Sequence, residues 1–137
     1  MGKWFDEDRL HCQGDSDASI EQYGRACGCN FSVGEAGIHP GLLALLDEIG
    51  EHFQSNVAIS CGFRCPTHDF DVGGVGNAHT RGEAADIYID GISVDELADA
   101  AEALMADGVG RYYGDEFVHV DVRDGRVGAG YSWTDQD

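Results

Sequence analysis

The sequence predicts an α+β fold, built as a small, mainly antiparallel sheet with flanking helices. Three observations lead there. Two stretches repeat apolar residues at three- and four-residue spacing, the mark of a helix with one buried stripe. Other short stretches strictly alternate apolar and polar residues, the mark of a half-buried strand. The two kinds of element segregate along the chain, which argues against repeated strand-helix-strand units. At 137 residues, the chain has room for one domain, 1–137, and one core.

The elements follow in order. Residues 1–34 form a polar, Cys-rich lead-in with Cys12, Cys27 and Cys29 and little periodicity. The core spans 38–133. From Pro40 to about Phe53, Leu42, Leu45, Leu46, Ile49 and Phe53 make one apolar stripe. Pro40 suits a first helical turn, where a missing N–H costs nothing. Val57 to Ser60 reads as a short buried strand. Residues 62–80 are Gly-rich and irregular, and a loop that long in a small domain is commonly functional. Ala84 to Asp90 reads as a strand. Ser93 caps a second helix running to about Asp107, and Glu96 completes a capping box. Phe117 to Arg123 is a third clear strand, with a last short one within Val127 to Trp133.

Charge narrows the function. Eight Lys and Arg stand against 26 Asp and Glu, giving a net charge of -18. Nucleic-acid binding needs a basic footprint and is excluded. Docking on anionic lipid is excluded for the same reason. Lys3 is the single lysine. An Asp-rich, Lys-poor composition resembles that of salt-adapted proteins, since salt near 1 M shortens the Debye length to roughly 3 Å and screens self-repulsion. No apolar run approaches membrane-spanning length, and the N-terminus lacks the apolar stretch of a signal peptide. The expectation is synthesis in the cytoplasm, with any work outside reached through lysis, a non-standard route or packaging in a larger particle.

The chemistry sits on two strands. In FVHVDVR, Val118, Val120 and Val122 take one face, and Phe117, His119, Asp121 and Arg123 the other. In AADIYID, Ala85, Ile87 and Ile89 take one face, and Asp86, Tyr88 and Asp90 the other. If these strands pair, Asp86 and His119 can stand opposite each other, with Cβ atoms roughly 4.5–5.5 Å apart. His79, seven residues before Asp86, can swing over the same face from the end of the Gly-rich loop. Two histidines and one carboxylate form a catalytic zinc set that leaves a fourth position open. Glu116 and Asp121 flank His119 as candidates for the carboxylate that accepts and returns a proton. Tyr112, Tyr113 and Trp133 could wall a substrate cleft or belong to the core, and His11, His39 and His52 show no partner pattern.

These residues carry a resemblance. The segment NAHTRGEAAD, 77–86, resembles the S-x-H-x-x-G-x-A-x-D motif of the zinc D-Ala-D-Ala carboxypeptidase and L-alanyl-D-glutamate endopeptidase family, the M15-type peptidases. It matches at His79, Gly82, Ala84 and Asp86, with Asn77 in place of Ser. Upstream, ISCGFRCPTHDFDVGGV resembles the family's S-G-x-R-C-P-x-H-N-x-x-V-G-G stretch, departing at Cys61 and at Asp69. Downstream, GRYYGDEFVHVDVR resembles the second histidine strand. The resemblance covers roughly 38–123.

The resemblance implies a Hedgehog/DD-peptidase-like fold, a Zn2+ cofactor held by His79, Asp86 and His119, and hydrolysis of cell-wall or envelope peptides. Arg64 matches the arginine that holds the scissile carbonyl or its oxyanion. Glu116 matches the general base, three residues before the last ligand. Strict alternation places Glu116 on the valine face, so it reaches the metal only if the strand begins or bulges near Phe117. Asp121 would then accept from a ligand imidazole. Many relatives are phage wall enzymes, so a virion or tail assembly is an implied partner. The alternative is a zinc-stabilised structural module of such an assembly. His68 reads as a loop pin. The five cysteines leave three options open: a thiolate zinc site joining the lead-in to the Arg64 loop, disulfides between the same segments, or free thiols.

Overall fold

A computed structural model describes residues 4–13, 17–24, 38–63, 78–122 and 131–135. Helix α1 spans Asp17–Tyr23, α2 Pro40–Phe53 and α3 Val94–Ala103. The strands are β1 Ala58–Cys61, β2 Ala84–Tyr88, β3 Gly108–Tyr112, β4 Phe117–Asp121 and β5 Tyr131–Thr134. They form one sheet in the order β1-β2-β4-β3-β5.

The α+β expectation holds, with one correction to the sheet. The β1–β2, β2–β4 and β3–β4 pairings are antiparallel, but β3 and β5 run parallel, so the sheet is mixed. Strand β3 had no counterpart in the sequence reading. The last strand starts at Tyr131, and residues 127–130 lie outside the described set. α3 stops at Ala103 rather than near Asp107, because Met105 has a φ of 72° that a helix cannot continue through.

Local chemistry sets the helix ends. Pro40 opens α2, and the Nδ1 atom of His39 accepts from the Gly41 N–H at 2.9 Å, which gives His39 the partner its sequence context did not reveal. Gln54, with φ 51°, closes the helix in the left-handed region. Ser93 and Glu96 form the expected reciprocal capping box on α3.

One side of the sheet buries the core. Leu42, Leu45, Leu46 and Ile49 of α2 and Leu97, Ala98 and Ala101 of α3 join Ile59, Ile87, Val109, Val118 and Val120 in one cluster. Phe5, Leu10 and Cys12 of the lead-in enter that cluster too. Residues 4–10 are tied down at both ends: Val57 N–H donates to the Trp4 carbonyl and Phe63 N–H to the Leu10 carbonyl. With the aliphatic side chains committed to this face, period-two alternation turns Asp86, His119 and Asp121 to the other.

Candidate metal centre

A single cross-strand row organises the opposite face. Cys61 pairs with Asp86, Asp86 with His119, His119 with Gly110, and Gly110 with Trp133, so one line of residues crosses all five strands. The alternation in β2 and β4 accounts for Asp86 and His119. Cys61 is there because the β1–β2 register shifts between Ile59 and Cys61. Unbroken pairing would set Ser60 against Asp86; the bulge substitutes Cys61.

His79 joins the row from a short 3-10 turn, Ala78–Arg81, just ahead of β2. Gly82 ends that turn with φ 70°, a conformation that favours glycine. Its carbonyl accepts from the His39 N–H, tying the turn to the start of α2.

Each imidazole has one nitrogen held from outside and the other facing Asp86. His79 Nδ1 lies 2.9 Å from the Gly62 carbonyl oxygen. A carbonyl can only accept, so this nitrogen carries the proton. His79 Nε2 faces Asp86 Oδ1 at 3.4 Å. His119 is arranged in reverse: Nε2 donates to Asp121 Oδ2 at 2.8 Å, and Nδ1 faces Asp86 Oδ1 at 3.1 Å. The two rings sit edge to face with centroids 5.1 Å apart. Two nitrogen or oxygen ligands of one tetrahedral zinc stand about 3.4 Å apart, given bonds near 2.0–2.1 Å. Both observed separations lie close to that value.

Electrostatics describe the same cluster without a cation. Burial opposes a charge on His79, but hydrogen bonds to Asp86 and Cys61, with their negative charge, outweigh it and push the pKa up to about 10. His119 is raised as well: burial again opposes the charge, and Asp121 and Asp86 prevail. Burial would raise Asp86, but its two histidine partners bring it down to about 2. A divalent cation held by this cluster would displace protons from the imidazole nitrogens it binds.

The donor set is suited to a metal. Ligand atoms of Cys61, His79 and Asp86 all lie within 4.8 Å of one another, and His119 faces the same Asp86 oxygen. Imidazole, carboxylate and thiolate together suit zinc rather than calcium or magnesium, which prefer all-oxygen sites.

Two glycines of β3, which the sequence reading passed over, shape this face. A Cβ on Gly108 would lie 2.3 Å from Asp121 Oδ2, and one on Gly110 would lie 2.6 Å from the Trp133 indole. Their absence lets the Asp121 carboxylate lie flat at 1% exposure and lets Trp133 lean to 5.1 Å from the His119 ring. Trp133 Nε1 donates to Tyr112 Oη at 3.0 Å. The signal was available as G-V-G, glycines two apart, ten residues before V-H-V.

Glu116 stands apart from this cluster. It is exposed, has a φ of 58°, and immediately precedes β4. It lines an open cavity of about 410 Å³ with Tyr88, Asp90, Ser93, Asp95 and Tyr113. Arg64, Cys65, His68, Cys27 and Cys29 lie outside the described residues.

Comparison with known proteins places the chain in context. The Peptidase M15 family profile matches residues 18–121. Peptidoglycan L,D-endopeptidase MepK of Escherichia coli K12 is 43% identical over 44 residues, 32% of this chain and 24% of that protein. The protein of the same name from Shigella flexneri matches equally. The matched segment thus spans about a quarter of the length of these curated relatives. No solved structure matches the chain.

Proposed function

Because the chain belongs to the Peptidase M15 family, we propose that it is a zinc-dependent peptidase that hydrolyses cell-wall or envelope peptides. The observation that carries this reading is the convergence of His79 Nε2 and His119 Nδ1 on one oxygen of Asp86. His79, Asp86 and His119 would hold the metal. Zinc, when bound, supplies Lewis acidity that polarises a carbonyl and acidifies water. The chain's own groups do the rest. Gly62 and Asp121 fix the tautomer and tilt of the two imidazoles, so that neither ring must reorganise during turnover.

Glu116 is the proposed proton acceptor. The role rests on its motif position three residues before His119; Glu116 is exposed just ahead of β4, outside the buried cluster, and would have to turn toward the metal face. It would take a proton from the attacking water and return it to the leaving amine. Asp121, already engaged by His119, has the positioning role. Arg64 is assigned by its motif to the scissile carbonyl, where charge develops only in the transition state. The stacked Tyr112 and Phe117 rings, 4.5 Å apart, and Trp133 beside His119 would form one wall of the substrate cleft.

Endopeptidase cleavage of peptides containing D-amino acids is supported by the name of the partial relative and is preferred here to carboxypeptidase action. A Hedgehog/DD-peptidase-like fold, delivery in a virus particle or at lysis, and a saline setting belong to the same reading. The last is supported by the excess of 26 acids over eight bases. The test is a zinc-dependent hydrolysis assay in multimolar salt, on muropeptides and envelope fractions. Cleavage is expected from wild type, with loss in His119→Ala and in a Glu116→Gln protein that keeps its zinc. Zinc-loaded wild type that cleaves neither substrate would turn the reading to a structural module.

A further inference from the structure

We propose that the lead-in segment is a positioning element of the metal centre, acting on His79 through the single peptide group that joins Gly62 to Phe63. The inference rests on the metal-peptidase reading above and adds an outer support to it. That peptide group is engaged on both sides. Its carbonyl oxygen, on Gly62, accepts from His79 Nδ1 at 2.9 Å, and its N–H, on Phe63, donates to the Leu10 carbonyl at 2.7 Å. Leu10, Gly62, Phe63 and His79 are all buried, so water competes little for either bond. Leu10 closes a short 3-10 turn, Glu7–Leu10, and is itself fully buried in the core. Glycine at 62 permits the close approach: a Cβ there would lie 2.7 Å from both the Cα and the carbonyl oxygen of Leu10. Residues 4–13 lie ahead of the 18–121 that match the family profile, so the family match does not account for this support.

The chemistry follows from the amide. Its N–H and C=O belong to one conjugated unit, so donation to Leu10 shifts electron density onto the Gly62 oxygen and makes it a better acceptor. A stronger pull on the Nδ1 proton makes the opposite nitrogen, Nε2, a more basic ligand. Nε2 is the atom that faces Asp86. The same chain of bonds fixes the tilt of the ring. His119 takes its support from Asp121, a side chain of its own strand. His79 stands on the short turn Ala78–Arg81 and takes its support from a main-chain carbonyl, which holds still only if its own backbone is braced. The bond from Phe63 to Leu10 is that brace, and it places residues 4–10 in the service of the metal face as well as the core.

The test compares zinc affinity by chelator competition on the full chain, with two variants that loosen the lead-in at opposite ends. Gly62→Ala forces the Leu10 backbone away from the peptide group. Trp4→Ala removes the indole that packs over Gly50 and donates to Glu51, and leaves Leu10 untouched. Gly62→Ala is expected to bind zinc 10–100-fold more weakly, and Trp4→Ala to bind as wild type does even where it melts earlier. Wild-type affinity in Gly62→Ala overturns the inference and leaves the metal site standing. Equal losses in the two variants overturn it too, since the segment then acts through stability alone. Magnetic resonance of zinc-loaded wild type supplies a second reading. One opening event exposes both the His79 Nδ1 proton and the Phe63 amide proton, so the two should show equal protection from solvent exchange. A Phe63 amide protected far less than the imidazole proton overturns the inference, and this measurement decides it if Gly62→Ala fails to fold. No zinc uptake by wild type removes the metal-peptidase reading and this inference together.

Discussion

The two faces of the sheet are made from alternate residues of the same strands, yet they obey different rules. On the helix-covered face, Ile87, Val118 and Val120 are fully buried and interlock with α2 and α3. On the other face their immediate neighbours are polar, with His119 and Asp121 buried and Asp86 partly so, and each is satisfied by a named partner. The first face is held by apolar area, which is non-directional and tolerates a substitute of similar shape. The second is held by directed hydrogen bonds and charge, which tolerate little change. Adjacent residues should therefore fail in different ways.

The sharpest contrast is between Asp86 and Ile87. Asp86→Asn removes the charge on which both imidazoles converge, so stoichiometric zinc binding and hydrolysis should both be lost, as read by metal analysis and the muropeptide assay. Ile87→Ala should instead cost about 2–5 kcal/mol of stability through lost burial and a residual cavity. Below its melting midpoint it should keep one zinc and near-wild-type turnover. An Ile87→Ala protein that unfolds like wild type, or an Asp86→Asn protein that keeps its zinc, would erase the distinction between the faces.

The next test asks how far the directed network extends. Asp121 touches His119 Nε2, the nitrogen turned away from Asp86. Loss of such an outer partner typically weakens metal affinity 10–100-fold. Asp121→Asn should fall in that range in a chelator competition, with hydrolysis recovering at saturating zinc. If hydrolysis stays abolished at full zinc occupancy, Asp121 rather than Glu116 is the proton acceptor.

Proton linkage gives a smaller but diagnostic effect. His79 has a pKa raised from 6.5 to about 10 in the metal-free fold. Its ion pair therefore contributes stability that is complete below about pH 6.5 and is lost as pH rises through about 10. Asp86 has the opposite sign: lowered from 3.8 to about 2, it contributes above pH 3.8 and fails as pH falls through about 2. Zinc must displace the imidazolium protons, so its affinity should climb about tenfold per pH unit for each proton released between pH 6 and 8. Calorimetry in two buffers of different ionisation enthalpy would count those protons. Affinity that is flat with pH would mean that the cluster does not hold its protons as the geometry requires.

Legibility in the sequence divides along the same line. The aliphatic stripe of α2, the alternation of β2 and β4 and the capping box at Ser93 could all be read directly, because each is a local periodic or pairwise signal. The pairing of Asp86 with His119 followed from alternation plus one assumption of antiparallel register. What escaped is non-local. β3 was missed because Gly108 and Gly110 weaken strand propensity, and the reason for those glycines is the space taken by Asp121 and Trp133. The shift that brings Cys61 rather than Ser60 to Asp86 is a bulge, which leaves no periodic trace. The parallel direction of the β3–β5 pair is likewise non-local, since a short strand near Trp133 carries no mark of which neighbour it will join or in which sense.

The weakest expected effect lies on the helix-covered face, at its rim. The Ser93 hydroxyl accepts from the Glu96 N–H at 3.1 Å, and the Glu96 carboxylate accepts from the Ser93 N–H at 3.4 Å. Ser93→Ala removes the first of these bonds and should cost about 1 kcal/mol, a fall of roughly 4 °C in melting midpoint for a chain of this length. α3 packs on the valine side of β3 and β4, so zinc affinity should not move. A Ser93→Ala protein that loses zinc affinity in step with stability would show that the two faces form one cooperative unit. Lost stability with unchanged zinc affinity would show that the metal face is already formed by register and outer hydrogen bonds, independently of how tightly the helix is closed.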